Sequence, residues 1–362
     1  MSRLIIGLMT GTSLDGIDAA LVDFTSTPPQ LIAAKGTVLS EPLRAQLLTL
    51  QLPQANELHL AQLAANAHAD ACATAVHELL AQAGYTAADI EAIGNHGQTI
   101  RHRPECGYTL QISNNARLAE QTGISVVGDF RSRDVAAGGQ GAPLVPAFHQ
   151  ALFTNPMQKR ALVNIGGIAN STLLIAGQAT GGFDTGPGNV LMDLWISQQL
   201  GQRYDKNGAW AATGQILPDL LAQFLSDTYF ALPSPKSTGR DLFHQAWLDQ
   251  HLAQHNAAPA DVQATLCALT AISIADTLRE HALDAIYICG GGSHNKTLMN
   301  MLAQALPQTH IYSSNVLGVD ADWMESFAFA WLAKCCLDRT PANLPQVTGA
   351  QGPRILGAIW PA

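Results

Sequence analysis

Two short segments concentrate the residues that could do chemistry. One is Gly11-Thr12-Ser13-Leu14-Asp15-Gly16, running on through Ile17 to Asp18; the other is Asp184-Thr185-Gly186-Pro187-Gly188-Asn189. Each sets small residues and a carboxylate in a short polar stretch beside an apolar run. A turn of that kind exposes backbone N–H groups to an anion while an acid stays close by. Thr12 and Ser13 add hydroxyls, and the competing reading is an ordinary hairpin tip. It is not a Walker A loop, which would end in Gly-Lys-Ser/Thr. Two such turns in one chain suggest a cleft that grips phosphate from both sides and keeps a carboxylate for the reaction. Asp184 fits a general base, a magnesium ligand acting through water or an Asx-turn cap. The residues alone leave these three open.

Further candidates follow predicted strands. Gly166-Gly167-Ile168-Ala169-Asn170 pairs in style with the first loop, and Gly166, Gly167 and Asn170 are its candidate contacts. Gly290-Gly291-Gly292 leads through Ser293 and His294 to Asn295. Three consecutive glycines would leave a flat, side-chain-free surface on which adenine or ribose can lie, where a tight strand–helix turn needs only one. His96-Gly97-Gln98-Thr99, Arg131 with Asp134, and Glu325 are polar groups of the kind that line clefts at strand ends in α/β proteins. Arg131 has the donor geometry to hold a substrate carboxylate through a bidentate pair. For each, a satisfied structural role is the alternative.

The elements that must position these residues alternate between strand and helix, which argues for an α/β class. Residues 4–9 and 17–24 read as a β-hairpin with a polar, glycine-rich tip. Apolar residues recur at helical spacing over about 56–83, with Gly84 as the stop. Strands are expected at 90–94, 109–112 and 124–127. The Gly/Ala/Pro-rich residues 134–146 are the expected crossing point between domains. The second half opens as the first did: strand 160–165, turn 166–170, return strand 171–175. This is a weak repeat of architecture rather than of sequence. Asp184 is expected in a turn over 180–189 that leads into a helix over 190–200, an anion-binding arrangement. Residues 201–240 read as a surface excursion. Helices over 261–280, 296–306 and 323–337 and a buried strand over 285–289 complete the reading.

Composition narrows the function. The chain has 362 residues, 47% hydrophobic and only 13% charged, enough for two domains with sizeable cores. Its net charge of −9 shows no basic face for nucleic acid. No apolar run reaches the ~18–20 residues a bilayer span needs, and the first ten residues read as a buried strand rather than a signal peptide. Six cysteines without Cys-x-x-Cys spacing suggest reduced thiols in a cytoplasmic protein. The twelve histidines show no metal-binding spacing on one helical face.

Taken together, several motifs resemble anhydro-N-acetylmuramic acid kinase. They are Gly-Leu-Met-Thr-Gly-Thr-Ser-Leu-Asp-Gly-Ile-Asp at 7–18, Asn-His-Gly-Gln-Thr-Ile at 95–100, Gly-Asp-Phe-Arg at 128–131, Val-Asn-Ile-Gly-Gly-Ile-Ala-Asn at 163–170, Phe-Asp-Thr-Gly-Pro-Gly-Asn at 183–189 and Cys-Gly-Gly-Gly-Ser-His-Asn at 289–295. They run in order along essentially the whole chain. The resemblance implies two related actin-like ATPase (ribonuclease H-like) domains around a central cleft. The expected division is 1–135, completed by 339–362, against 136–338. The implied reaction opens the 1,6-anhydro bond of anhydro-N-acetylmuramic acid with water and phosphorylates O6 from ATP, giving N-acetylmuramic acid 6-phosphate in peptidoglycan recycling. Asp184 matches the family's catalytic base, the 11–18 segment matches its ATP phosphate motif, and Glu325 is assigned as a second acid near the sugar. His96, Gln98, Thr99 and Arg131 are the expected sugar contacts.

The implied cofactors are ATP and Mg2+. Met9 and Asn164 stand where the wider superfamily often has acids. Asp15, Asp18 or Asp184 must compensate, or the nucleotide and water hold most of the magnesium. Expected partners are small molecules (the anhydro amino sugar, ATP, water), with no nucleic acid and no membrane, and a homodimer is compatible with the chain. The alternatives are an actin- or chaperone-like ATPase switch without a sugar substrate, which would be expected to bear a peptide-binding module beyond residue 362, and a glycosidase that uses Asp184 and Glu325 without ATP.

Overall fold

The computed structural model describes all residues except 1, 2, 12, 13, 15, 235 and 240. Its strands are β1 (Leu4–Thr10), β2 (Gly16–Asp23), β3 (Gln30–Val38), β4 (Ile90–Asn95), β5 (Gln98–Arg103), β6 (Tyr108–Ile112), β7 (Val126–Gly128), β8 (Arg160–Ile165), β9 (Ile168–Leu174), β10 (Gly181–Pro187), β11 (Ala285–Cys289), β12 (His310–Ser313) and β13 (Ala358–Trp360). Its helices are α1 (Glu41–Thr49), α2 (Glu57–Ala83), α3 (Asn115–Thr122), α4 (Ser132–Ala136), α5 (Val145–Phe153), α6 (Val190–Leu200), α7 (Pro218–Leu225), α8 (Gln245–Leu252), α9 (Pro259–Leu278), α10 (Lys296–Ala305), α11 (Met324–Leu337) and α12 (Pro345–Thr348).

Two compact units result: Met1–Leu152 with Trp323–Ala362, and Phe153–Asp322. In the first, the sheet order is β13-β7-β4-β1-β2-β3. β1, β2 and β3 form an antiparallel meander, and β4 and β7 follow parallel to β1. In the second, the order is β10-β9-β8-β11-β12, again an antiparallel meander with two parallel strands beyond it. Both units therefore carry one five-stranded plan, and the first adds β13 at its edge. The parallel strands are apolar almost throughout: Ala285–Cys289 is buried at all five positions. A strand covered on both faces reads as an unbroken hydrophobic run.

In the first unit, α2 and α11 pack on the sheet. α2 runs 27 residues and stops at Gly84, whose φ of 75° takes the left-handed cap conformation. α11 lies on β1 and β4 by direct backbone approach. A Cβ on Gly7 would fall 1.8 Å from the Ser326 carbonyl oxygen, and one on Gly94 would fall 2.2 Å from that of Phe329. In the second unit, α9 is buried along most of its length.

Several expectations are corrected. The unit boundaries fall after residues 152 and 322, whereas the sequence placed them at 135/136 and 338/339. Residues 134–146 do not form the crossing: α4 and α5 flank them inside the first unit, and the Asp134 carboxylate ties them down by accepting from the Gly141 N–H (2.8 Å). Residues 201–240 are not a surface excursion. Leu220, Phe224 and Tyr229 are buried, and α7 packs on α9. β3, α1, β5 and α3 were not anticipated, because each is short or carries few apolar residues, so no period stands out in the chain.

The close approach of α11 generates a stability prediction. Gly94→Ala should lower the urea midpoint of the first unit by the equivalent of about 1–3 kcal/mol, the usual cost of overpacking. An unchanged midpoint would show that α11 is free to move away from β4.

Candidate active site

Asp184 lies in a strand, β10, rather than in the expected turn. Its neighbours in register are Asn170 on β9 and, beyond that, Asn164 on β8. A bulge between Asp184 and Gly186 breaks the ladder just after the carboxylate, a device that re-aims a side chain. Residues 229–238 clasp it. The Asp184 N–H donates to the Lys236 carbonyl (2.9 Å) and its own carbonyl accepts from the Tyr229 hydroxyl (2.9 Å). Oδ2 accepts from the Thr238 N–H (2.9 Å) and the Ser237 hydroxyl (3.1 Å). Oδ1 accepts no hydrogen bond among the described residues. Burial pushes the carboxyl above the usual aspartate range, while the Thr238 and Ser237 bonds pull it partly back. One oxygen is thus fixed and the other is left to act, on a carboxylate made more basic by its surroundings.

Lys236 does not pair with this acid. Its Nζ donates to the carbonyls of Tyr229 and Phe230 (3.2 Å each) and stands 4.6 Å from the centre of the Tyr229 ring. Burial lowers its pKa. Sequence reading missed this clasp, although the polar run Lys236-Ser237-Thr238 is where it could have been sought.

The anion-binding expectation for the residues after Asp184 is overturned. The N–H groups of Gly188 and Val190 donate to the Gly167 carbonyl (2.9 and 3.1 Å), and that of Asn189 to the Gly166 carbonyl (2.8 Å). The Gly166 and Gly167 carbonyls therefore cap the start of α6, and Ile168 to Asn170 belong to β9. The Thr185 hydroxyl is also spent, donating to the Ala169 carbonyl (3.2 Å).

The three glycines at 290–292 divide. A Cβ on Gly290 would meet Asn164 Oδ1 at 2.3 Å, and one on Gly292 would meet Ile165 Cγ2 at 2.3 Å, so both serve close packing. Gly291 alone has room for a Cβ, which would meet only Asn189 Nδ2 at an ordinary 3.8 Å: it lines a pocket of about 450 Å3 with Met192, Tyr204, Asn207, His294 and Asn295. The expected flat three-glycine surface is in fact one glycine beside an aromatic ring. Tyr204 is 60% exposed and offers a face for a planar base. Asn295 lines the pocket but spends its side chain on capping α10, accepting from the Leu298 N–H (2.9 Å). Tyr204 and Asn207 were not anticipated, since neither belongs to a glycine-rich motif.

In the first unit, Leu14 is fully buried, and Asp18 on β2 stands directly opposite Met9 on β1. The acid missing from the first strand is thus present on its neighbour, with Gly36 on its other side. Gly16 and Ile17 open β2; the calls on Thr12, Ser13 and Asp15 lie outside the described residues. Among the described residues no group of three or more His, Cys, Asp or Glu could hold a metal ion.

A second cluster in this unit joins His96, Arg131 and Glu325. The Arg131 guanidinium donates to His96 Nε2 (3.0 Å) and to the Gly141 carbonyl (2.9 Å). Burial brings its pKa down to about 10, against the raising influence of Glu325 and Asp134. His96 packs on Phe329 of α11, ring centres 4.7 Å apart. Burial and the Arg131 charge hold it neutral, well below the usual histidine range. Since Arg131 only donates, Nε2 accepts and the proton resides on Nδ1. The Glu325 carboxyl is raised by burial and lowered by Arg131. Gln98 is fully buried; its Nε2 donates to the Thr99 carbonyl (3.1 Å), and its Oε1 has no partner. The Thr99 hydroxyl accepts from Gln111 (3.2 Å). Asp134, which the sequence grouped with Arg131, is wholly engaged by Gly141, Asn343 and Thr348.

Two measurements probe these sites. Ser237→Ala removes a bond that favours the charged carboxylate, so the Asp184 carboxyl should titrate at higher pH in a carbon-13 NMR titration; no change would detach Ser237 from its control. Tyr204→Ala should weaken adenine-nucleotide binding about threefold to tenfold in calorimetry, the scale of one lost aromatic stack. Undiminished affinity would remove the base from this pocket.

Comparison with known proteins joins these observations. The family model for anhydro-N-acetylmuramic acid kinase matches residues 3–362. An anhydro-N-acetylmuramic acid kinase of Bordetella petrii is 56% identical over 99% of this chain and 97% of its own length. One of Pseudomonas syringae pv. tomato is 51% identical over the full length of both. Among solved structures, component A of the (R)-2-hydroxyglutaryl-CoA dehydratase of Acidaminococcus fermentans matches the fold, with a TM-score of 0.50 at 9% identity, over 91% of this chain and 96% of that one. The doubled five-stranded plan, the clasped acid on β10 and these full-length matches agree: the chain belongs to the anhydro-N-acetylmuramic acid kinase family, whose members are phosphotransferases.

Proposed function

We propose that this chain opens 1,6-anhydro-N-acetylmuramic acid with water and passes the γ-phosphoryl group of ATP to O6, giving N-acetylmuramic acid 6-phosphate for cell-wall recycling. The observation that carries the reading is the half-held carboxylate of Asp184. Its Oδ1 is placed to take a proton from water while Ser237 and Thr238 fix Oδ2. The water oxygen attacks the anomeric carbon, the bond from that carbon to O6 breaks, and its electron pair goes to O6. O6 then attacks the γ-phosphorus and ADP leaves. Attack at an anomeric carbon needs a carboxylate near the incoming water, and phosphoryl transfer needs mainly position and charge neutralisation. Opening the bond supplies the negative oxygen that phosphoryl transfer consumes, so one base serves both events.

The pocket beside Gly291 and Tyr204 has the size for a nucleoside. The 11–18 segment acts on the phosphates. Asp15, Asp18 and Asp184 are the carboxylates that would approach magnesium. With donors this sparse, the ion rests chiefly on phosphate and water; when bound, it neutralises charge on the transferring group. Arg131 offers its charge to the substrate carboxylate, His96 steadies that guanidinium, and Glu325 stands as a second acid toward the sugar. The unpaired Gln98 Oε1 suits a donor on the substrate. Six free thiols suit a reducing compartment, and we place the reaction in the cytoplasm. No described helix is long and apolar enough to cross a membrane.

The test is incubation with ATP, magnesium and the anhydro sugar, followed by mass spectrometry. ADP with a phosphorylated, ring-opened sugar is expected. ADP alone would favour a switch, and opened sugar without ATP a glycosidase. Asp184→Asn should keep nucleotide binding and lose at least about 100-fold in turnover. Because the carboxyl is raised by burial and must be ionised to act, activity should fall on the acid side at a pH above the usual aspartate range. Near-normal turnover of the variant would end the base assignment.

A further inference from the structure

The first unit has a second groove, of about 550 Å3, that shares no residue with the His96–Arg131–Glu325 cluster. Arg133, Arg339 and Arg354 line it, with Cys336, Gly357 and Ile359. The chain has only 19 basic residues and a net charge of −9, so three guanidiniums on one groove are a marked local excess. Among the described residues none of the three pairs with a carboxylate. The acid adjacent in sequence, Asp338, is already held by Arg3 (2.5 Å) and Lys334 (2.7 Å). The one side-chain bond among them is from Arg354 Nη1 to the Pro353 carbonyl (2.9 Å).

The backbones that carry these arginines are anchored. The Arg354 N–H donates to Asn343 Oδ1 (2.6 Å), and Asn343 donates in turn to the buried Asp134 carboxylate (2.7 Å). Arg339 stands at φ 56°, in the left-handed region that favours glycine, with its N–H on the Cys336 carbonyl (3.1 Å). Anchored backbone spares the site the cost of ordering its loops on binding, and guanidiniums match oxyanions bidentately.

We propose that this groove is an effector site for a small polyanion, a molecule with two or more phosphate or carboxylate groups. Two elements lead from it to the sugar-side cluster. α4 carries Arg133, and Arg131 is its N-cap residue. α11 carries Cys336 near its C-terminal end and Glu325 in its first turn. An anion that draws in Arg133 and Arg339 therefore acts on the two elements that hold Arg131 and Glu325.

Calorimetry on the full chain tests this, with a non-hydrolysable ATP analogue saturating the nucleotide site and free magnesium held constant. Inorganic pyrophosphate and citrate are titrated in separate arms, which tell a phosphate site from a carboxylate site. At least one should bind, more weakly as salt rises. The triple variant Arg133→Gln, Arg339→Gln, Arg354→Gln should lose at least about tenfold in affinity. Should that variant fold poorly, Arg339→Gly removes one guanidinium while relieving the left-handed φ, and its affinity should fall without loss of stability. The bound anion should shift the KM for the anhydro sugar at least about twofold, in wild type and not in the triple variant. The KM arm rests on the proposed reaction and the calorimetry does not, so the two readings fail separately. No binding, equal binding in wild type and variant, or binding that leaves the sugar KM in place overturns the proposal.

Discussion

The placement of the polar residues in the first unit depends on a backbone contact that admits no side chain. α11 meets β1 and β4 where Gly7 and Gly94 leave the sheet bare, and the carbonyls of Ser326 and Phe329 occupy the space a Cβ would take. That approach sets Phe329 against His96 and puts Glu325, one turn earlier on the same helix, next to Arg131. A bulkier pair of residues would lift the helix and separate the acid from its counter-charge. The electrostatic balance at this cluster is thus a consequence of packing: burial disfavours each charge, and proximity keeps them.

The second unit solves a different problem. The Asp184 carboxyl is under two opposing influences. Burial on β10 raises its pKa, while donors from Ser237 and Thr238 pull it partly back. The same donors occupy one oxygen and leave the other without a hydrogen bond among the described residues. The carbonyls of the glycine-rich turn at 166–167 close the start of α6.

The doubled plan also explains a substitution that the sequence made puzzling. With Met9 in the first strand, the first unit has no acid at that place, yet Asp18 is its antiparallel neighbour. The second unit has Asn164 and Asn170 at the matching pair, with Asp184 one strand further on. The acids are displaced sideways across each meander, to the second strand in one unit and the third in the other.

Much of this was legible in the residues. The hairpins, the long α2, the buried β11 and the terminal α11 follow from apolar periodicity, because a strand or helix that faces a core must show its period in the chain. The family motifs named the reaction and pointed to Asp184 and Arg131, since side-chain chemistry is written directly in residue type. What the chain alone did not decide was which backbone groups would be free. The N–H groups after Asp184 read as an anion nest and turned out to be hydrogen-bonded to Gly166 and Gly167; the glycines at 290 and 292 read as a ligand surface and turned out to be packing contacts. The clasp of Asp184 by residues some fifty positions away likewise came only with the fold. Residue identity fixes what a group can do, but whether it is available depends on partners distant in sequence, and those are chosen only when the tertiary structure closes.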